Sequence, residues 1–247
     1  MTVETARPGD VARRLLRASD RAALATSLAG GEEAAAGGWP YASLVLLACD
    51  HDAAPLLLIS DLAEHSKNIA DDPRVGLLID GTGGRVDPLT GPRVTVLGTA
   101  EKTDDPRLKG RFVARHPSAA LYADFADFHL YRVTVARAHF VAGFGRIHWI
   151  EPADFFGNSG AGILGEAEEA LVQQLNDQPD MADRLARLAT GRRVADWRIT
   201  GIDGEGIDLR REGTIARVEF VARADSADAV MREVESLLSA AKPKRKK

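Results

Sequence analysis

The feature that most constrains this chain is a succession of short apolar runs, cut by turn residues and only briefly interrupted by helical signals. RAALATSL, YASLVLLA and PLLLIS come first, followed by RVGLLID, the alternating run RVTVLGTAEKT, and HLYRVTVARAHFVAG. Runs of this length, rich in branched apolar residues and bounded by Gly, Pro, Asp and Asn, read as strands. Only short helical insertions separate these runs. The pattern therefore predicts antiparallel strands rolled into a closed or nearly closed barrel, not a βαβ sheet.

Helical signals are few. PGDVARRLLRA, residues 8–18, sets Val11, Leu15 and Leu16 at helical spacing. LAEHSKNIADDP reads as a short helix stopped by Pro73, and Asp105-Pro106 opens RLKGRFVARH with the proline in the first turn. Pro117 starts another short helical piece. Gly30-Gly31 and Gly37-Gly38 bracket a hairpin loop. The character changes at 151–165, EPADFFGNSGAGILG, which reads as a linker. It divides an N-terminal barrel, residues 1–150, from a small helix–sheet domain, residues 166–241. In the latter, EAEEALVQQLN and ADRLARLATG are helical, and WRITGID, GIDLRR and TIARVEF are strands. A last helix, capped by Asp225 and Ser226, carries Val230, Val234, Leu237 and Leu238 on one face. The fold class is α+β. Residues 242–247, KPKRKK, read as a frayed, disordered basic tail.

A hydrophobic content of 45% in 247 residues supports a sizeable core. The net charge of −4 gives no general attraction to nucleic acid, and the short basic tail on an acidic body adds little. The single cysteine, Cys49, excludes a disulfide framework and reads as a buried, inert thiol. No apolar stretch approaches the ~20 residues that span a bilayer. MTVETARPGD has no apolar signal core. The expectation is a cytoplasmic protein.

Gly160-Ala161-Gly162-Ile163-Leu164-Gly165 matches a dinucleotide fingerprint, but EPADFFGNS is a poor preceding strand. Glu166, Glu168 and Glu169 would also repel a pyrophosphate. The six histidines show no metal-ligand spacing, and no serine elbow is present. Any chemistry would belong to a cofactor. The most informative segment is LLLISDLAEHSKNIADDPRV, residues 56–75. A hydroxyl at a strand end (Ser60), a following helix start, and Lys67 with Asn68 make a candidate phosphate cradle. A capped surface helix with a solvated lysine is the plainer alternative. In VAGFGRIHWI, residues 141–150, Arg146 and His148 share one face if the run is extended, beside Gly143 and Gly145. Two donors there suit an anionic ligand or an exposed sheet edge.

Taken in order, RAALATS, GWPYASLVLL, LLLISDLAEHSKNIADDPRVGLLI, DPLTGPRVTVLGTA and HLYRVTVARAHFVAGFG resemble the pyridoxamine-phosphate-oxidase-like, FMN-binding split-barrel proteins. The LAEHxxN–DPRV block and GFG are similar to the haem-utilisation branch, which carries a split barrel and a small C-terminal domain. The resemblance implies a homodimer with a small-molecule site at its interface. In flavin-binding members the strand–helix segment holds the phosphate, which puts Ser60 and Lys67 there, with His65 where many relatives have another basic residue. Arg93 and Arg21 are further candidates. Arg146-Ile147-His148 is similar to an Arg-x-His oxidase signature, but Trp149 and Ile150 depart from its flanks. In the haem branch, an arginine near GFG is a candidate for contacting haem or its ligand. That branch can take its iron ligand from a histidine in the C-terminal tail, and this chain has none beyond His148. The family's HMNxDH pattern keeps only Asn176, with Gln174 and Pro179 at the histidine positions. Three functions follow as expectations: an FMN-binding oxidoreductase, a haem-binding or haem-degrading protein, and a non-catalytic interaction protein.

Overall fold

The computed structural model describes residues 7–30, 37–143, 145–156 and 161–240. The chain separates into two compact units, residues 1–157 and 158–247. The tip of the Gly30-Gly31 loop, Phe144, residues 157–160 and the tail KPKRKK lie outside the described residues.

In the first unit, helix α1 (Pro8–Ala18) is followed by strands β1 (Arg21–Ser27), β2 (Pro40–Leu46), β3 (Ala48–Cys49) and β4 (Pro55–Ser60). Helix α2 (Glu64–Asp71), β5 (Arg74–Asp80) and β6 (Arg93–Lys102) come next. Helix α3 (Pro106–Arg115) and a 3-10 turn at Pro117–Leu121 precede the long β7 (Phe128–Val141), which turns into β8 (Ile147–Ile150). The sheet order is β2-β1-β5-β6-β7-β4-β3, with β8 also on β7, and every pairing is antiparallel. The ends of this path, β2 and β3, are separated in the chain only by Leu47. The sheet is thus curled into a half-barrel, around a core that includes Leu24, Leu57, Leu77, Val96 and Phe140.

Strand composition follows what covers each face. β1 alternates strictly, exposed and buried in turn, because only its inner face is covered. β4 is apolar throughout for the opposite reason. Leu57 and Ile59 enter the barrel core, and Leu56 and Leu58 pack outward against Leu108 and Phe112 of α3. Cys49 is buried beside them.

β7 changes phase midway. Tyr131, Val133 and Val135 point inward, and beyond them Ala138 and Phe140 do so instead. The register against β6 shifts between Leu97 and Gly98, so that Leu97 faces Arg137 while Gly98 faces Val135. The extra residue is Ala136, a β-bulge that swings Arg137 and His139 to the outer face. Gly98 is required there, because a Cβ would sit 2.3 Å from the Thr134 carbonyl oxygen.

Buried arginines tie the helices to the sheet. Arg13 donates to the Phe155 carbonyl (2.6 Å), Arg17 to the His51 carbonyl (2.7 Å), Arg111 to the Cys49 carbonyl (2.6 Å) and Arg115 to the Arg17 carbonyl (2.8 Å). A guanidinium supplies several donors at fixed angles and so satisfies carbonyls that the loops leave unpaired. Part of the segment expected to be a linker is structured. Pro152–Phe156 forms helix α4, with Phe155 fully buried in the first core.

The second unit contains α5 (Ala161–Asn176), α6 (Met181–Thr190), β9 (Arg198–Asp203), β10 (Gly206–Arg211), β11 (Thr214–Glu219) and α7 (Ala227–Ala240). Its sheet order is β11-β10-β9. Asn176 bonds the Ile199 backbone twice, from Nδ2 to O and from N to Oδ1, at 2.9 Å each. That gives this residue a joining role between α5 and β9. Arg217 is buried against Asp203 and Asp208 at 2.7 and 2.9 Å.

Gly98→Ala is expected to destabilise the first unit by about 2 kcal/mol, since overpacking against a fixed backbone has no cheap relief. Urea unfolding of this variant beside Gly76→Ala, whose Cβ would meet only side chains at 3.5 Å or more, measures the difference.

Candidate functional site

The α2 segment is locally satisfied. Ser60 Oγ donates to Asp127 Oδ2 at 2.6 Å and accepts from the Leu62 amide at 3.1 Å. Its carbonyl accepts from Ser66 Oγ at 2.6 Å. Lys67 is exposed and paired with Glu64 one helical turn away, Nζ to Oε2 3.2 Å. Asn68 is fully buried; its Oδ1 accepts from the Ala29 amide and its Nδ2 donates to Thr26 Oγ1, both at 2.9 Å. Asn68 thus docks α2 on β1. His65 Nδ1 lies 3.1 Å from Ser43 Oγ on β2, and burial pulls its pKa below the ordinary value. Asp61, next to Ser60, is itself paired with Lys102 at 3.0 Å and bonded to His129 at 2.8 Å.

Arg146 lies at the β7–β8 hairpin, where Gly143 and Gly145 adopt positive φ (132° and 76°). Its Nη2 donates to the Ala142 carbonyl at 3.2 Å. His148 is exposed and stands opposite Phe140, an inward-facing residue. Its side chain therefore leaves β8 on the face opposite to Trp149.

The outer face of the sheet brings other residues together. The registers place Leu44, Ala23, Leu78, Thr95, His139 and Trp149 in one row across β2, β1, β5, β6, β7 and β8. The next row holds Leu46, Arg21, Arg93, Val141 and Ile147. Leu44 is 72% exposed, Ile147 58% and Trp149 53%. α3 covers only the β3–β4 side of the barrel. Arg21 pairs with Asp20 at 2.8 Å, and Arg93 donates to the Leu89 and Gly91 carbonyls at 3.0 and 3.2 Å.

Trp149 is the centre of a cluster that motif reading did not find. The Arg137 guanidinium carbon lies 4.0 Å from its ring centroid, and the His139 ring packs against it at 4.6 Å. Arg137 Nη2 reaches Glu151 Oε1 at only 3.5 Å, and its Nε is buried with no hydrogen-bond partner among the described residues. The Arg137 side chain is 43% exposed, so the outer end of a guanidinium held on an indole face is open to an anion. The readable signal was the phase slip of the apolar positions within VTVARAHF.

Comparison with known proteins identifies the barrel. Residues 4–157 match the family described as "CREG, beta-barrel", and the chain belongs to it. A solved protein of unknown function from Agrobacterium tumefaciens is 30% identical, over 96% of this chain and 98% of that one, with a TM-score of 0.79. A heme binding protein from Mycobacterium smegmatis is 28% identical over the same shares, 96% and 98%, with a TM-score of 0.56. The chloroplastic non-canonical heme oxygenase HOZ of Arabidopsis thaliana is 34% identical over 109 residues, 43% of this chain. The match spans only 33% of that protein.

Asn68→Ala is expected to cost about 2 kcal/mol, because it strands a buried amide and a buried hydroxyl. Lys67→Ala is expected to stay within about 0.5 kcal/mol, as exposed pairs do. Chemical denaturation of both variants separates docking from surface roles. His65 titrates below its unfolded value, so the unfolded chain binds the proton first. Stability should therefore fall as pH drops below about 6.5, until the folded-state pKa is passed. Thermal melts of the wild type and His65→Gln across pH 5 to 7.5, taken at roughly half-unit steps, should show this slope only in the wild type.

Proposed function

We propose, for this member of the CREG beta-barrel family, that the first unit binds haem on the uncovered outer face of its sheet, and that two copies pair across that face. The observation that carries the proposal is the half-exposed Arg137 guanidinium, with only Glu151 at 3.5 Å as acceptor, beside an exposed apolar row. Haem is a flat apolar macrocycle bearing carboxylates, and it needs both features side by side. Leu44, Leu78 and Trp149 offer the apolar contact, and Arg137 offers the anion anchor. The likeness to a heme binding protein and to a heme oxygenase supports the same group.

The donor set at α2 suits FMN less well. Ser60 is already committed to Asp127, Lys67 to Glu64 and Asn68 to the β1 side. Haem fits the residues present. When bound it would supply a redox-active iron able to engage oxygen. The chain's own residues would do the rest. Arg137 holds a propionate, Trp149 packs on the ring system, and the apolar row excludes water once a second copy covers it. A patch that carries Leu44, Leu46, Leu78, Ile147 and Trp149 in the open marks an association surface. Arg146, on the hairpin, would line the rim.

The test is a hemin titration of the full chain, followed by the Soret band, with analytical ultracentrifugation for the dimer. Saturable binding is expected, with Arg137→Ala raising Kd roughly tenfold, the scale of one lost charge-assisted hydrogen bond. Under reductant and oxygen, formation of a bilin would assign degradation, and a lasting complex would assign binding alone. Saturable FMN binding with no hemin binding would overturn the reading and return the function to the flavin oxidoreductases.

A further inference from the structure

We infer that His139 supplies the protein ligand to the haem iron, an assignment that rests on the haem-binding reading of the outer face. The six histidines all lie in the first unit, and each is a candidate imidazole ligand. Four stand off the outer row. His51 is buried beside Asp50 and Arg107, its Nδ1 3.2 Å from the latter's guanidinium. His116 is buried with Nε2 2.9 Å from the Leu47 carbonyl oxygen. His65 lies on α2, with Nδ1 3.1 Å from Ser43 Oγ, and His129 stands opposite Ile59, an inward residue of β4.

His148 and His139 remain. His148 is exposed at the end of the hairpin but leaves β8 on the side away from Trp149, as its pairing with inward Phe140 requires. His139 stands in the outer row between Thr95 and Trp149. Its ring packs on the indole at 4.6 Å and a 42° tilt. That contact orients the imidazole without using either nitrogen, and no hydrogen bond engages the ring among the described residues. An imidazole held by packing, with neither nitrogen engaged by the protein, can give one to iron and leave the other for a hydrogen-bond acceptor.

The bulge at Ala136 places this imidazole and the Arg137 guanidinium on the same face, two residues apart, roughly 6.5 Å along the strand. One indole seats both, with the Arg137 guanidinium carbon 4.0 Å from its centroid. An iron ligand and a carboxylate anchor then occupy adjacent outward positions of one strand. His139 is thus the coordinating residue, and Trp149, beside its part in the apolar surface, orients it.

The experiment compares resonance Raman spectra of the ferrous hemin complexes of wild type, His139→Ala and His148→Ala, all as full chains. Circular dichroism serves as the folding control. An iron–histidine stretching band is expected in wild type and in His148→Ala. It should be absent from His139→Ala and return, shifted, when free imidazole is added. Trp149→Leu should keep the band but broaden it, because the ring loses its seat. A hemin complex of His139→Ala with the band unchanged, or its loss in His148→Ala, would overturn the assignment alone. Failure of the wild type to bind hemin saturably would overturn the underlying reading with it. If His139→Ala does not fold, the same comparison on His139→Gln decides.

Discussion

One slip of register in β7 organises the barrel unit. This strand carries the pairing with β4, β6 and β8, so its residues must serve two different surroundings. In its first half the outer side meets α3 and the 3-10 turn, through Leu130. In its second half the outer side is bare. A single extra residue, accommodated against Gly98, inverts the alternation between the two halves. Without it Arg137 and His139 would point into a core of Val94, Val96 and Ile79, where an unpaired guanidinium has no place. The bulge thus keeps the core apolar and assembles the Arg137–His139–Trp149 cluster in the same step.

The polar interior obeys a different logic from the outer face. Arg17, Arg111 and Arg115 are buried, yet each is spent on backbone carbonyls that turns leave open. Burial pushes Asp50 upward, but hydrogen bonds from His51 and the charge of Arg107 outweigh it and hold the carboxyl far below the ordinary range. These groups fasten α1 and α3 to the sheet. Arg137 has no comparable set of acceptors. It lies half-exposed on an aromatic ring with a distant carboxylate, and that contrast between spent and unspent guanidinium separates scaffold from site.

Much of the fold was legible in the sequence, because burial on one face writes itself as alternation. RAALATS and RVTVLGTAEK show it, and PLLLIS reads as continuously apolar because α3 covers its second face. The split into a barrel and a smaller helix–sheet unit was likewise visible in the change of composition after residue 150. The site was harder. Ser60, Lys67 and Asn68 have the chemistry of a phosphate cradle, yet the partner that engages the Ser60 hydroxyl is 67 positions away at Asp127. No local motif can report that. Arg146 lies in the hairpin before β8, and Trp149, which had only marked a departure from the oxidase signature, faces away from His148 and carries the cluster. The histidine that stands free on the right face, His139, lies in a strand with no motif at all.

The account turns on where the iron sits. Crystals of the hemin complex, measured at the iron absorption edge, would locate it directly. An anomalous peak over the outer row of β6, β7 and β8, beside Arg137 and Trp149, is the predicted result. A peak against α2 near Ser60 and Lys67, or on the hairpin face that carries His148, would contradict it.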